Sequence, residues 1–325
     1  MDIGIIYNSF AHKRLLPEEK DLRDTGIAIG KHLLKLGHSV QYFDMDSPAD
    51  IEKLCASSIE VAFDACERIR GDSRGEAYSA ALLEFLGIPH TRTSAFHIAL
   101  GINKIRIKHI LAYHGVTIPR FQVFSNADEL LHPDLKFPLF VKGVATENSI
   151  GIDEHSLVTN RRQLKDKVGQ INTDLKQPAL VEEFIGGREF AVAILPGKVN
   201  RTMPLLEIEY DALPPNQRYL DYSAKWVVHS DWYRKTTPVH PQNLTEAEIR
   251  QINDTAMQCF TCLGLDSYMR VDMRFRDHTL YVLEVNQNPS IGEDGSGFVR
   301  TALDFGLDYT AMINALLQNA ILGAA

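Results

Sequence analysis

The residues best equipped to do chemistry lie in Arg270-Val-Asp-Met-Arg-Phe-Arg-Asp-His-Thr-Leu-Tyr-Val-Leu-Glu-Val-Asn286. Two runs rich in β-formers, 270–276 and 279–285, flank Asp277-His278, a pattern that predicts an antiparallel hairpin. Such a hairpin sets Asp272 opposite or nearly opposite Glu284, and the two-residue period of a strand turns Glu284 and Asn286 to one side. Two carboxylates and an amide oxygen then converge in one small volume. Buried side by side, the carboxylates repel unless one is protonated or a cation sits between them. The set is all oxygen, without Cys or His, so it suits Mg²⁺ or Mn²⁺ and not Zn²⁺. Mg²⁺ usually completes its shell with water and substrate phosphates, which points to a nucleotide enzyme. The bland reading is a hairpin with polar residues facing water, and for a lone triplet of this kind it is the commoner case.

Cations suited to phosphate occur elsewhere. Phe137-Pro-Leu-Phe-Val-Lys142 reads as an apolar strand ending at a lysine, with the small and polar loop 143–151 after it. The stem of Lys142 can lie inside while its ammonium meets that loop. The loop resembles a backbone phosphate cradle, although no GxxxxGK[ST] sequence is present. Lys104 and Lys225 are further candidates, though a single lysine is most often a solvated surface charge. In Leu180-Val-Glu-Glu-Phe-Ile-Gly-Gly-Arg-Glu189, a strand and Gly-Gly turn can offer backbone to an adenine edge. Glu182 can accept from its exocyclic amine and Glu189 can take ribose hydroxyls.

Elements must hold these groups in place. Over residues 1–90, strands at Ile3–Tyr7, Ser39–Asp44 and Ile59–Asp64 alternate with helices near 21–36, 48–56 and 75–86, the mark of a parallel α/β layer. A helix carrying Lys104, Arg106 and Lys108 follows, then Ser125–Asp128 as a capping box opening a short helix. Strands at Ala179–Glu183 and Glu189–Leu195 precede a long irregular stretch, 208–243, and a capped helix over 245–263. The reading divides the chain at 1–93, 94–180 and 181–325, as 325 residues exceed one simple core. A formal charge of −8 argues against a nucleic-acid backbone as partner. No apolar run reaches the length of a membrane span, and Met1-Asp-Ile-Gly lacks a basic leader, so the cytoplasm is the expected compartment. Cys259 and Cys262 have CxxC spacing but end a helix, where buried small hydrophobes are expected.

Taken in order, these runs resemble the ATP-grasp superfamily and, within it, the D-alanine–D-alanine ligase family, over nearly the whole chain. Leu83-Glu-Phe-Leu-Gly-Ile-Pro-His-Thr91 is similar to the family's LLE-x-x-GIP-Y, and Gly101-Ile-Asn-Lys-Ile-Arg-Ile-Lys108 to its M-D-K-x-x-x-K helix. Asp221-Tyr-Ser-Ala-Lys-Trp226 is similar to Y-D-Y-x-A-K-Y, while Arg270-Val-Asp and Leu283-Glu-Val-Asn-Gln-Asn-Pro289 resemble the metal-binding close. The resemblance implies an α/β chain, α+β in its ATP-binding part, with an N-terminal Rossmann-like sheet and ATP held between two antiparallel sheets. It implies that Lys104, Lys142 and Lys225 face phosphates, that Glu182 meets adenine with Glu183, Phe184 and Ile185 as hinge, and that Glu189 meets ribose. Asp272, Glu284 and Asn286 would hold Mg²⁺, usually two ions, with Arg270, Ser149 and Lys225 as catalytic groups. A homodimer is compatible with it. Loop 143–151 and segment 208–243 are the natural lids.

The departures are one-sided. The N-terminal E-x-E-V-S-L signature is missing, leaving Glu18 or Glu19 as loose candidates, and H-G-x-x-G-E-D-G is replaced by Asp64–Glu76. Trp226 stands where the family has a tyrosine, and P-G-M-T becomes Pro289-Ser-Ile-Gly-Glu-Asp-Gly-Ser-Gly-Phe298. Glu293 and Asp294 in that loop can pair with a substrate ammonium or guanidinium, and Trp226 and Ser296 complete the substrate candidates. The expectation is an ADP-forming carboxylate–amine ligase that works through an acyl phosphate on amino acids or dipeptides other than two D-alanines. The alternatives are a true D-alanine–D-alanine ligase, an ATP-grasp enzyme with another acceptor, and a nucleotide-binding module without turnover.

Overall fold

The computed structural model describes residues 1–323 apart from 12, 13, 211, 212 and 294. The first layer is a parallel sheet, order β2-β1-β3, of β1 (Asp2–Tyr7), β2 (Ser39–Asp44) and β3 (Val61–Asp64). Ile3, Ile5 and Ile6 of β1 are buried, as a central parallel strand covered on both faces requires. Helices α1 (Pro17–Lys35), α2 (Pro48–Cys55) and α3 (Glu76–Phe85) supply the crossovers. Helix α1 starts before the predicted 21 because Pro17 suits a first helical position and the Glu19 carboxylate accepts from the Leu16 N–H at 3.1 Å. Two further helices, α4 (Ala95–Ile102) and α5 (Lys104–Tyr113), lead to the second layer, and Asn103 caps α5.

That layer is an antiparallel sheet, order β4-β7-β5-β6, of β4 (Phe121–Phe124), β5 (Leu139–Gly143), β6 (Leu157–Val158) and β7 (Ala179–Glu183). Leu139, Val141, Ala179 and Val181 pack on helix α6 (Arg161–Asp174). Alternation therefore turns Phe140, Lys142 and Glu182 to the other face. The helix predicted at Ser125–Asp128 does not form: the Glu129 carboxylate accepts from the Ser125 and Asn126 N–H groups at 2.8 and 3.2 Å. The Asp128 N–H donates to Asn126 Oδ1, closing a local turn that competes with helix.

The third sheet has the order β11-β10-β8-β12-β13, with β9 (Arg201–Thr202) on β8 (Arg188–Leu195). Its other members are β10 (Leu206–Tyr210), β11 (Thr236–Val239), β12 (Met269–Arg276) and β13 (Thr279–Asn286). The chain thus changes sheets between Glu183 and Arg188, a few residues beyond the division expected at 180. Phe190, Val192, Val271, Met273 and Val282 pack on helix α9 (Glu246–Cys262). Cys259 is buried in that packing, Cys262 is partly covered, and both are free thiols. Segment 208–243, expected to be irregular, is largely ordered over its described residues, with the end of β10, the edge strand β11 and the short helices α7 (Tyr222–Trp226) and α8 (Asp231–Arg234). Its strand pattern is hard to read because Pro238 sits in the edge strand β11. Helices α10 (Gly297–Asp304) and α11 (Tyr309–Gly323) return to the first sheet, so Phe298, Met312 and Ile313 share a core with Ile3, Ile5 and Phe63. No helix among the described residues is long and apolar enough to cross a membrane.

Thr245 and Glu248 form the predicted capping box on α9, the hydroxyl accepting from the Glu248 N–H at 3.2 Å and the carboxylate from the Thr245 N–H at 2.8 Å. Replacing Thr245 with Ala is expected to lower unfolding free energy by about 1 kcal/mol in urea melts while nucleotide affinity stays unchanged.

Candidate active site

The predicted hairpin is present, turned by Asp277 and His278 in the left-handed region at φ 49° and 61°. Asp272 and Glu284 are direct cross-strand partners, and Arg270 pairs with Asn286. A bulge after Asp272 absorbs one residue on β13, so Glu284 faces the cleft while Val282 and Met273 stay in the core. On β8, Ala191 stands beside Asp272, and its small side chain leaves room in the cavity there.

This face of the third sheet looks across a cleft at the polar face of the second. Lys104, Lys142, Ser149, Lys225, Arg270, Asp272, Glu284 and Asn286 line it, together with Glu182, Glu183, Phe184, Ile185 and Glu189. The structure therefore brings the expected nucleotide, metal and catalytic candidates into one volume. Arg270 grips Asp272 with two hydrogen bonds, Nε to Oδ1 at 2.7 Å and Nη2 to Oδ2 at 2.9 Å. Lys104 pairs with Glu284 at 2.8 Å and also donates to the Thr146 carbonyl, while Lys142 stands 3.9 Å from Glu284. Burial alone would raise the Glu284 pKa, but Lys104 and Lys142 outweigh it and hold the carboxyl far below its ordinary range. Burial and the neighbouring Arg270 together depress the Lys225 ammonium.

Glu182, expected to meet adenine, stands between two lysines. Lys108 approaches one of its oxygens at 2.5 Å and Lys142 the other at 2.9 Å. Burial pushes the Glu182 carboxyl up, and the two lysines more than reverse this. In this arrangement the carboxylate orients lysines. Lys108, on the same face of α5 as Lys104, belongs to the site through that contact, and its i, i+4 spacing was the available signal. Arg274, Tyr210 and Tyr222 were also passed over. The period of two that turns Arg270 and Asp272 to the cleft turns Arg274 there as well.

The lids meet over the cleft. Trp226 Nε1 donates to the Asn148 carbonyl at 3.0 Å, and the Ser149 hydroxyl to the Leu220 carbonyl at 3.2 Å. Tyr222 from the second lid donates to the buried Glu18 of α1 at 2.7 Å, which ties this lid to the first layer. Beyond Asp272 and Glu284 opens a cavity of about 580 Å³. Its wall carries Asp21, Glu67, Glu76 and Glu147 on one side, Trp226 and Tyr233 on another, and Ser296 and Arg300 beyond. Ser296 also caps α10. Glu293 does not line this cavity: its carboxylate is 3.0 Å from His32 Nε2, which holds it against α1. Asp294 lies outside the described residues.

The candidate metal set fits a hard cation in its chemistry. Among the described residues no three His, Cys, Asp or Glu gather into a metal-holding group, so the set is two carboxylates and an amide. Asn286 now donates its Nδ2 to Asp272 at 2.9 Å, and a bound cation requires its amide oxygen instead.

Two interlocked antiparallel sheets with lysines and carboxylates between them define an ATP-grasp protein. The model of the family "D-ala D-ala ligase C-terminus" matches residues 110–318. The D-alanine–D-alanine ligase of Syntrophotalea carbinolica is 29% identical over 301 residues, covering 92% of this chain and 90% of its own. The uncharacterized protein y4sG of Sinorhizobium fredii is 31% identical over 261 residues, 80% of this chain and 74% of its own. The crystal structure of D-alanine–D-alanine ligase from Bacillus anthracis complexed with ATP superposes with a TM-score of 0.77 at 22% identity, covering 100% of this chain and 98% of that one. The chain belongs to the D-alanine–D-alanine ligase family, and it is an ATP-dependent carboxylate–amine ligase.

The cavity wall has a pH signature. Burial, then the nearby Glu147, push the Glu67 carboxyl up to about 7 from its ordinary 4.5, and Glu76 and Glu147 are also raised, burial first. A raised carboxyl contributes stability that is complete below the unfolded pKa and lost as pH climbs through the folded one. Glu67→Gln should therefore gain stability relative to the parent between about pH 4.5 and 7, by a margin on the order of 3 kcal/mol or less, in melts across that range.

Proposed function

We propose that the chain activates a carboxylate with ATP, as an acyl phosphate, and couples it to an amine on amino-acid or peptide substrates that are not two D-alanines. The observation that carries this reading is the junction of two volumes. The cleft suited to ATP opens, through Lys104, Arg270, Asp272, Glu284 and Asn286, into the cavity of about 580 Å³. A carboxylate held there lies next to the phosphate-facing cations. An oxygen of that carboxylate attacks the γ-phosphorus, the bond to the β-γ bridging oxygen breaks, and ADP leaves. The amine then attacks the acyl carbon, the C–O bond to phosphate breaks, and the ammonium proton is released as inorganic phosphate departs.

Lys142 and Lys104 face the phosphates, and Arg270 stands where charge builds on the transferring group and on the acyl oxygen. Glu182 and Lys108 keep Lys142 in place. Glu189 takes the ribose hydroxyls, and backbone at Glu183–Ile185 meets adenine. Asp272, Glu284 and Asn286 are the residues that would hold Mg²⁺ or Mn²⁺, which when bound neutralises charge on the β- and γ-phosphates. The joined lids keep water from the acyl phosphate.

The names of relatives at 29% and 28% identity favour a pair of D-alanines instead. Two observations favour other substrates. Alanine presents only a methyl side chain, whereas the cavity has the size of sites that take much larger ligands. Its wall also carries Glu67, Glu76 and Glu147, with Trp226 at the lid. A pocket built on polar groups rejects an analogue that leaves them unpaired, by tenfold to several orders of magnitude.

Release of ADP across a panel of D- and L-amino acids and dipeptides, at saturating Mg·ATP, tests this. D-alanine alone should support little release and another carboxylate with an amine much more; D-alanine as the best substrate would sink the divergent reading. Glu284→Gln should abolish release with every pair while the protein still folds, and retention of more than about a tenth of activity would remove the hairpin from the site. Lys142→Ala is expected to weaken both ATP binding and turnover, read by calorimetry and by ADP release.

A further inference from the structure

One guanidinium ties three parts of the nucleotide cleft together. Arg274 is 2% exposed, on the cleft face of β12 directly across from Glu189 on β8. Its Nε and Nη2 donate to Glu189 Oε2 at 2.9 and 2.5 Å. Its Nη1 donates to the Ile185 carbonyl at 2.7 Å, in the hinge between the two sheets. Its Nη2 also reaches the Arg218 carbonyl at 2.5 Å, in the lid segment whose next residue, Tyr219, packs edge-on against Phe140. The guanidinium lies 5.4 Å from the ring of Phe184 and 5.6 Å from that of Tyr210. Five donors in a fixed plane make such a three-way tie possible, and a lysine cannot reproduce it.

The pattern on Glu189 is asymmetric. Oε2 accepts from Arg274 and from the Tyr210 hydroxyl at 2.5 Å, while no donor among the described residues reaches Oε1. Glu189 is buried and lines the cleft, so one oxygen is held rigidly and the other is presented. A carboxylate in that state is preorganised to accept from hydroxyls, at no cost of ordering when the ligand arrives.

We propose that Arg274 is a positioning residue for nucleotide selection: it locks Glu189 with Oε1 turned to the ribose, and it makes the sugar hydroxyls count in binding. This rests on the reading of the cleft as the ATP site. Arg274 touches neither phosphate nor the reacting carboxylate in this scheme. Its effect runs through Glu189, so removing it should erase discrimination between sugars and not merely weaken binding.

The experiment is calorimetric titration of the full chain with ATP and with 2′,3′-dideoxy-ATP, each with Mg²⁺ and without acyl or amine substrates. A hydrogen bond from a hydroxyl to a charged acceptor gives the parent a preference for ATP of about tenfold or more. In R274K that preference should fall to within about threefold, and E189A should lose it to the same extent. In the E189A background, adding R274K should change the preference no further, as two residues acting through one contact require. Y210F removes one donor from the same oxygen with little risk to folding, and it should cut the preference by about threefold. If R274K and Y210F weaken both nucleotides equally, leaving the preference intact, Arg274 is only a structural strut and the inference fails. A parent chain that binds neither nucleotide overturns the ATP reading itself, and this inference with it.

Discussion

Two partly buried carboxylates forced side by side set the terms for this molecule. Asp272 and Glu284 are cross-strand neighbours, and nothing in a β-ladder relieves their repulsion. Each is answered by its own cation: Asp272 by Arg270 two residues along the same strand, Glu284 by Lys104 from a helix before the second sheet, with Lys142 beyond. The electrostatic demand of one hairpin thereby draws α5 and β5 to the same point. Glu182 extends the chain of charges outward by pinning Lys142 against Lys108. Glu182, Lys108 and Lys142 are buried, so removing one of these three leaves a buried charge without its partner, which is more costly than the pair is stabilising. The alternation of sign also leaves the site ready for a polyanion with its counter-cation, since both kinds of charge are already present and oriented.

What the amino-acid order makes legible is local periodicity. The hairpin, the strand ending at Lys142 and the capped helix at 245 all follow from patterns within ten to twenty residues, and the structure has each of them. The faces follow too, because a strand alternates without exception until a bulge intervenes. Short-range competition is harder to read. Ser125–Asp128 looks like a helix start until the Glu129 side chain takes the same N–H groups for a turn. Segment 208–243 hides the edge strand β11, which is short and contains Pro238.

Contacts between distant segments are the least legible. Glu18 and Tyr222 are 204 residues apart in sequence, and although Tyr222 belongs to a family motif, no local pattern around Glu18 announces the pairing. Glu293 looks free to meet a substrate, yet His32 of α1 claims it. The acidic wall of Glu67, Glu76 and Glu147 gathers side chains from two layers and exists only in three dimensions. The groups proposed to meet the nucleotide lie mostly on paired strands, where period and register suffice. Those proposed to meet the substrates lie mostly on loops and helix ends, where they do not.

The shared core of the first sheet has a bearing on biosynthesis. Ile3, Ile5, Val61 and Phe63 lie on strands made well before Phe298, Met312, Ile313 and Leu317, which help to cover them. A growing polypeptide with its first sheet outside the ribosome has Ile29 and Leu33 of α1 over part of this face, but nothing yet where α10 and α11 will lie. That uncovered part remains a surface for misassociation or chaperone capture until residues 298–317 have been made. Reordering synthesis so that α10 and α11 precede β1 would bring the two halves of this core into existence together.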